Sequence, residues 1–237
     1  MIKIKERSYE PELLDLGASY YTQEEYEECL HQLGRIGRYL GGNRATLKTL
    51  HQLPKPRSIL DVGCGGGYFT TELAQQFPDA QVVGIDIAHE AITHARKNLQ
   101  NAPLKNVRFE VPPSNQLSYL PNSFDVVTST LVCHHLKEDE LIAFLKKSYL
   151  IAKKTLLIND LHRHWLAYLA FALIAKPVFP SRLIFHDGLL SIQRAFKKQD
   201  WIYYLKTAEI PIEHCSITWH WAFRWVLRID TSHKLKP

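Results

Sequence analysis

The sequence predicts an α/β protein built on a mostly parallel sheet, and three observations carry that reading. Between residues 56 and 160, short apolar runs of strand length alternate with amphipathic stretches of helix length. Such alternation implies βαβ units, with helices covering both faces of a parallel sheet. A glycine-rich turn stands directly between the first of these strands and the first of these helices. Near the carboxyl end, two further strand-like runs over 211–219 and 222–229 flank a tight turn, which adds an antiparallel edge.

The elements follow in order. Thr22-Gln23-Glu24-Glu25 has the form of a capping box, and Tyr26, Cys29, Leu30, Leu33, Ile36 and Leu40 follow at helical spacing. Gly41-Gly42 is expected to stop that helix, and a second short helix over 44–53 ends before Pro54. From Pro56 the period changes. A strand over 58–62, a glycine turn over 63–67, a helix over 69–77 and a strand over 80–85 come first. A helix over 90–99 and strands over 107–111, 124–129 and 155–158 follow, with a helix over 136–149 between the last two. Residues 160–190 read as an apolar, aromatic helical insertion, and a helix over 200–208 precedes the final strands. The chain is thus divided into an N-terminal helical segment (1–55), a ligand-binding core (56–160), a helical cap (161–190) and a C-terminal part that completes the sheet (191–237).

Composition narrows the function classes. Of 237 residues, 46% are hydrophobic and 22% charged, which suits a globular core and excludes a disordered or fibrous chain. The net charge of +5 is spread along the chain, so no nucleic-acid function is indicated. The N-terminus has no apolar signal-peptide core, and the most apolar stretch, 165–175, falls short of the ~20 residues needed to cross a bilayer. Peripheral membrane contact is left open. Cys29, Cys64, Cys133 and Cys215 lack any paired or zinc-finger spacing and read as reduced thiols in a cytoplasmic protein.

The chemistry is concentrated in Ile59-Leu60-Asp61-Val62-Gly63-Cys64-Gly65-Gly66-Gly67-Tyr68. Glycines let the backbone turn sharply and approach a ligand closely, and the amides of the following helix face that ligand. A dinucleotide fingerprint wants glycine where Tyr68 stands, and no Gly-Lys-Ser/Thr follows to make a P-loop. Asp61 would repel a pyrophosphate and suits a cationic ligand bearing an ammonium or sulfonium group. Asp86 ends the next strand, where acids accept hydrogen bonds from ribose hydroxyls or cap the next helix.

These elements, with Ser123-Phe124-Asp125-Val126-Val127 downstream, resemble the class I S-adenosylmethionine-dependent methyltransferases over residues 59–158. The resemblance implies a Rossmann-like, doubly wound, seven-stranded sheet with an antiparallel last strand. It implies S-adenosyl-L-methionine as cofactor, held by Asp61, Gly63, Cys64, Gly65, Gly67, Asp86 and Thr130, with Ile87 against the adenine. The family's usual acid after the third strand falls at Pro113, so Ser114, Asn115 or a backbone carbonyl is expected to replace it.

The fourth strand leads into Cys133-His134-His135, similar to a His pair in small-molecule methyltransferases of the ubiquinone/menaquinone-biosynthesis type. His134 is the first candidate general base for a hydroxyl acceptor and His186 the second. The competing role for the pair is helix capping and packing. No metal site is expected, because consecutive side chains do not converge. A further resemblance joins Glu12-Leu13-Leu14-Asp15, Leu40-Gly41-Gly42-Asn43-Arg44, Asp160-Leu161-His162-Arg163, Ala167-Tyr168 and His186-Asp187-Gly188 with Ser191 and Arg194-Ala195-Phe196. These look like a bacterial subgroup associated with polyketide, quinone or phenolic-lipid pathways. Residues Leu166, Tyr168, Leu169, Phe171, Leu173 and Ile174 make a helix apolar on nearly every side, which needs burial or an apolar ligand. No Asn/Asp-Pro-Pro-Tyr/Phe motif for nitrogen acceptors follows the fourth strand. The expected activity is therefore methyl transfer to oxygen of a small apolar or phenolic, quinone-like acceptor. Carbon methylation of a quinol or polyketide precursor, and a catalytically weak cofactor-binding module, are the alternatives.

Overall fold

The computed structural model describes residues 4, 6–17, 19–113, 117–179 and 181–235. Its centre is a seven-stranded sheet in the order β3-β2-β1-β4-β5-β7-β6. The strands are β1 (Ser58–Val62), β2 (Gln81–Ile85), β3 (Val107–Glu110), β4 (Phe124–Thr130), β5 (Ala152–Leu161), β6 (Cys215–His220) and β7 (Arg224–Asp230). Strands β1 to β5 are mutually parallel, with Ile59 of β1 in register with Val82 on one side and Val126 on the other. Strand β7 runs antiparallel to both β5 and β6, as the terminal pair of strands requires. The chain therefore has the seven-stranded, mostly parallel α/β fold with an antiparallel strand that the sequence predicts.

Burial explains the residue choice. Ile59, Leu60, Val82, Val83, Val127, Leu156 and Leu157 are all buried, because helices lie on both sheet faces. On one face α2 (Gly42–His51), α3 (Tyr68–Gln76) and α4 (His89–Asn101) contribute Leu50, Leu73 and Ile92 to the core. On the other, α5 (Glu138–Ile151) and α8 (Lys198–Thr207) contribute Leu141, Leu145, Trp201 and Leu205. The order β3-β2-β1-β4 reverses direction between β1 and β4. Ligands bind at such a switch point, outside the carboxyl ends of the strands.

Three details differ from the sequence reading. The Gly41-Gly42 pair does not simply stop α1 (Gln23–Tyr39): Gly41 turns with a left-handed φ of 78°, and Gly42 already opens α2. Strand β5 extends to Leu161, so Asp160 is a strand residue rather than the start of the insertion. The insertion is two helices, α6 (Trp165–Val178) and α7 (Arg182–Arg194), of which α7 packs on α1 through Leu183, Ile184, Cys29 and Ile36. Helix α6 rests on α7, and its Trp165, Leu166, Leu173, Ile174 and Val178 remain exposed. One neighbour can cover only one stripe of a helix that is apolar all round. Among the described residues, no helix is long and apolar enough to cross a membrane.

The seat of α6 on α7 depends on Gly188, where an added Cβ would stand 2.3 Å from Cζ of Phe171. Gly188→Ala is expected to lower stability by about 1–3 kcal/mol through overpacking. Denaturant unfolding checks this, and an unchanged midpoint would show that Phe171 yields freely.

Candidate active site

The site is built at the carboxyl ends of β1, β2, β4 and β5. The turn from β1 to α3 places Gly63, Gly65 and Gly67 at φ of 74°, 50° and 77°, conformations that side chains rarely adopt. Their surroundings separate two roles. A Cβ on Gly63 would meet Val132 Cγ2 at 2.2 Å, and one on Gly67 would meet Phe109 Cζ at 2.7 Å. Around Gly65 the nearest atom, from Leu30, is 4.0 Å away, so this glycine keeps an open face. The turn is pinned by the Gly63 and Cys64 amides, which donate to the Ile85 carbonyl at 2.8 and 3.0 Å. Cys64 is buried, and burial pushes its thiol up.

Two acids frame the turn. Asp86 accepts from the Gly65 amide at 2.8 Å and from the Ala88 amide at 3.0 Å, so it fixes both the glycine turn and the entry to α4. A carboxylate offers about four acceptor positions, which leaves room for further donors. Asp61 is wholly buried and accepts from the Thr70 hydroxyl at 2.6 Å. Burial pushes its carboxyl up to about 7, against the lowering effect of Thr70. Ile87 is 60% exposed at the end of β2. The Thr130 hydroxyl at the end of β4 is buried with no hydrogen-bond partner among the described residues. Ser114 and Asn115 lie outside the described residues.

Beyond β4, the chain passes Val132 on the glycine turn and enters a 3₁₀ turn, Cys133–His135. His134 is buried, and its Nδ1 lies 2.7 Å from Oδ1 of Asp160, which also accepts the His134 and Leu161 amides. Burial works to raise the Asp160 carboxyl, but the His134 ring and these hydrogen bonds hold it below the usual carboxylate range. His135 places Nδ1 2.9 Å from Oδ1 of Asp15. Against burial, His135 and Arg194 hold Asp15 down to about 2. Sequence reasoning has adjacent histidines pointing apart. Here the two rings have centroids 4.3 Å apart, because Asp160 and Asp15 each tether one Nδ1 atom within a compact turn.

Both Nε2 atoms face Glu12, at 3.6 Å for His134 and 3.8 Å for His135. Glu12 is buried, its Oε1 lies 2.8 Å from the Ser191 hydroxyl, and burial pushes its carboxyl up to about 7. Sequence reasoning gave Glu12 and Asp15 no chemical role. Their only signal was their place in Glu12-Leu13-Leu14-Asp15, far in sequence from the His pair. His186 stands apart: its ring is half exposed, with Nδ1 2.8 Å from Asp187, whose carboxylate receives the Leu13 and Leu14 amides.

A methyltransferase domain model matches residues 55–179, more than half of the chain. The chain belongs to this methyltransferase family. The ubiquinone biosynthesis O-methyltransferase of Schizosaccharomyces pombe is 32% identical over 52% of this chain and 44% of its own length. The malonyl-[acyl-carrier protein] O-methyltransferase of Legionella pneumophila is 34% identical over 30% of each. The chain thus spans less than half the length of these curated relatives. Among solved structures, a SAM-dependent methyltransferase from Aquifex aeolicus superposes with a TM-score of 0.66 at 17% identity, covering 89% of this chain and 99% of that one.

The residues present fit S-adenosylmethionine as the cofactor. Gly65 offers open backbone, Asp86 has acceptor capacity for a ribose, Thr130 holds a buried hydroxyl with no partner among the described residues, and Asp61 is a buried acid that would suit the cationic methionine end. Asp61 also makes a titration prediction. Its carboxyl, ordinarily at 3.8, stands at about 7 in the free protein, and a cationic ligand favours the ionised form. Affinity for S-adenosylmethionine should therefore tighten with pH by at most about tenfold per unit below pH 7 and level off above it. Calorimetry in buffers of different ionisation heat should show proton release on binding. Asp61→Asn should bind more weakly with a flat profile, and a wild-type profile without slope would remove Asp61 from the cofactor's charge balance.

Proposed function

We propose that this chain transfers the methyl group of S-adenosylmethionine to an oxygen of a small apolar or phenolic, quinone-like acceptor, as a cytoplasmic enzyme. The observation that carries the reading is the pair His134–Asp160 at the carboxyl end of the sheet. In the neutral ring, with Nδ1 donating to Asp160, the lone pair is on Nε2 and is free to take another proton. The same arrangement of acid, imidazole and acceptor hydroxyl activates oxygen nucleophiles in general base catalysis.

Bound S-adenosylmethionine supplies an electrophilic methyl on a sulfonium sulfur. The remaining tasks fall to the protein. Gly63, Gly65 and Gly67 with Asp61, Cys64 and Thr130 are assigned to the methionine end. Asp86 is assigned to the ribose, and Ile87, Ser114 and Asn115 to the adenine. Val132 packs on the glycine turn, which keeps His134, two residues later, close to the cofactor end of the site. A hydroxyl set between His134, His135 and Glu12 gives up its proton to that cluster. Helix α7 closes the cluster through Ser191, and the outward apolar residues of α6, Leu169 and Leu173, offer an apolar acceptor a surface. Both curated relatives above are named as O-methyltransferases, which supports oxygen over carbon. His186 is the second candidate base; its exposure and its bond to Asp187 place it after His134.

Incubation with methyl-labelled S-adenosylmethionine and a panel of phenols and quinols tests the function, with product analysis by mass spectrometry. Label in a methyl ether is the expected result. Label on carbon would replace oxygen as the target, and no turnover with any acceptor would favour a binding module. For the active acceptor, His134→Ala should lower kcat by about 10²–10⁴-fold, more than His186→Ala, with cofactor affinity nearly unchanged. A loss below about fivefold would assign His134 to packing.

A further inference from the structure

We propose that Glu12, His134 and His135 form a binding site for one divalent transition-metal ion, Zn²⁺ foremost, at the acceptor end of the site. The role given to the ion rests on the function proposed above; the site itself does not.

The ligand atoms come first. One carboxylate oxygen and two imidazole nitrogens lie within 4.8 Å of one another. The Glu12 oxygens are 3.6 and 3.8 Å from the two Nε2 atoms. Those separations exceed hydrogen-bond length, and they approach the ~3.3 Å between ligand atoms of a tetrahedral ion with bonds of about 2.0–2.1 Å. The two distances run to different Glu12 oxygens, Oε1 for His134 and Oε2 for His135, and binding one ion draws the ligand atoms together from within 4.8 Å of one another.

The groups behind the ligands are the second, independent observation. Each imidazole has its Nδ1 on a carboxylate, His134 on Asp160 at 2.7 Å and His135 on Asp15 at 2.9 Å. In the neutral imidazole that pairing leaves the lone pair on Nε2, the tautomer a metal needs, and a carboxylate behind the ring is the usual support of histidine ligands. The Ser191 hydroxyl lies beside Glu12 Oε1, which orients the third ligand. Three acids thus converge on two rings, and Arg194 pairs with one of them, Asp15. Arg224 attracts Asp160, so the charge left for a bound cation to offset is the carboxylate of Glu12.

The donor set names the ion class. Two imidazoles and one carboxylate suit Zn²⁺ and its neighbours, whereas Mg²⁺ prefers oxygen ligands throughout. Three protein ligands leave a fourth position open, as in catalytic zinc sites. There the acceptor hydroxyl oxygen binds the ion; its O–H bond breaks and the proton passes to solvent water. A bound Zn²⁺ lowers the pKa of water from 15.7 to about 7, so a phenol with an ordinary pKa near 10 ionises readily in the same position. With the ion in place both imidazoles serve as ligands, and the ion takes over from His134 the removal of the proton.

The test titrates the chelator-treated full chain with Zn²⁺, Co²⁺ and Mg²⁺ alone, without cofactor or acceptor. Calorimetry should find one equivalent of Zn²⁺, and Co²⁺ should develop visible absorption bands of a low-coordinate nitrogen/oxygen site; Mg²⁺ should not compete. Glu12→Gln and His135→Gln should each weaken Zn²⁺ by at least 10²-fold, and Asp15→Asn by about 10–100-fold. Circular dichroism and S-adenosylmethionine binding of the same variants separate lost metal from lost fold. Zn²⁺ binding that is absent, or that these variants leave unchanged, overturns the site. Because the readout needs no turnover, failure of the methyl-transfer reading would leave it intact.

Discussion

The buried carboxylate of Asp160 is the contact on which the cluster around His134 and His135 depends. It ends β5 inside the sheet, fully shielded from water, and collects the ring of His134, the amide of His134 and the amide of Leu161. A buried charge is tolerable only when hydrogen bonds and opposite charge replace its lost hydration. Those replacements come from two different strands' exits, so satisfying one carboxylate fixes the loop after β4 against the end of β5. The guanidinium of Arg224, on the neighbouring β7, adds attraction from the third side, and its own pKa is pushed down to about 10 by burial, with Asp160 opposing that shift.

A second layer of buried charge closes the site from above. Arg194 at the end of α7 donates to the carbonyls of His134 at 3.1 Å and His135 at 2.7 Å, and to Asp15 at 2.8 Å. Arg7 donates to the Leu136 carbonyl and to the Arg194 carbonyl, both at 2.8 Å, while its guanidinium lies over the Phe196 ring. Asp187 accepts the Leu13 and Leu14 amides. Over residues 6–17 the regular structure is a single 3₁₀ turn, Leu14–Leu16, so side-chain charges of α7 supply partners that a helix or sheet would otherwise give this backbone. This is how Glu12 comes to lie beside both Nε2 atoms of the His pair.

Most of the sheet and its helices were legible, because buried parallel strands and amphipathic helices imprint their periods directly on the chain. The run Ile59-Leu60-Asp61-Val62-Gly63 announced both β1 and the turn that follows it, and Asp86 could be placed by its distance from that turn. Less legible were features where local pattern and packing disagree. The sequence reading ends β5 at 158 because Asn159 and Asp160 look like loop residues, yet in the interior the Asn159 side-chain amide donates to the Gly42 carbonyl and the Thr46 hydroxyl, and Asp160 accepts the His134 and Leu161 amides. The exposure of α6 was not readable either, since an apolar helix states that it avoids water and not how many neighbours it will find.

By itself, the sequence determined the fold class, the strand-turn-helix cradle and the family, since each rests on residues adjacent in the chain or one βαβ unit apart. Only the tertiary structure decided the cluster around the His pair. There Glu12, Asp15, His134, His135, Asp160, Ser191 and Arg194 meet from four separate segments. Their association depends on buried charges finding one another across the fold, an interaction that depends on distance in space and leaves no period in the chain.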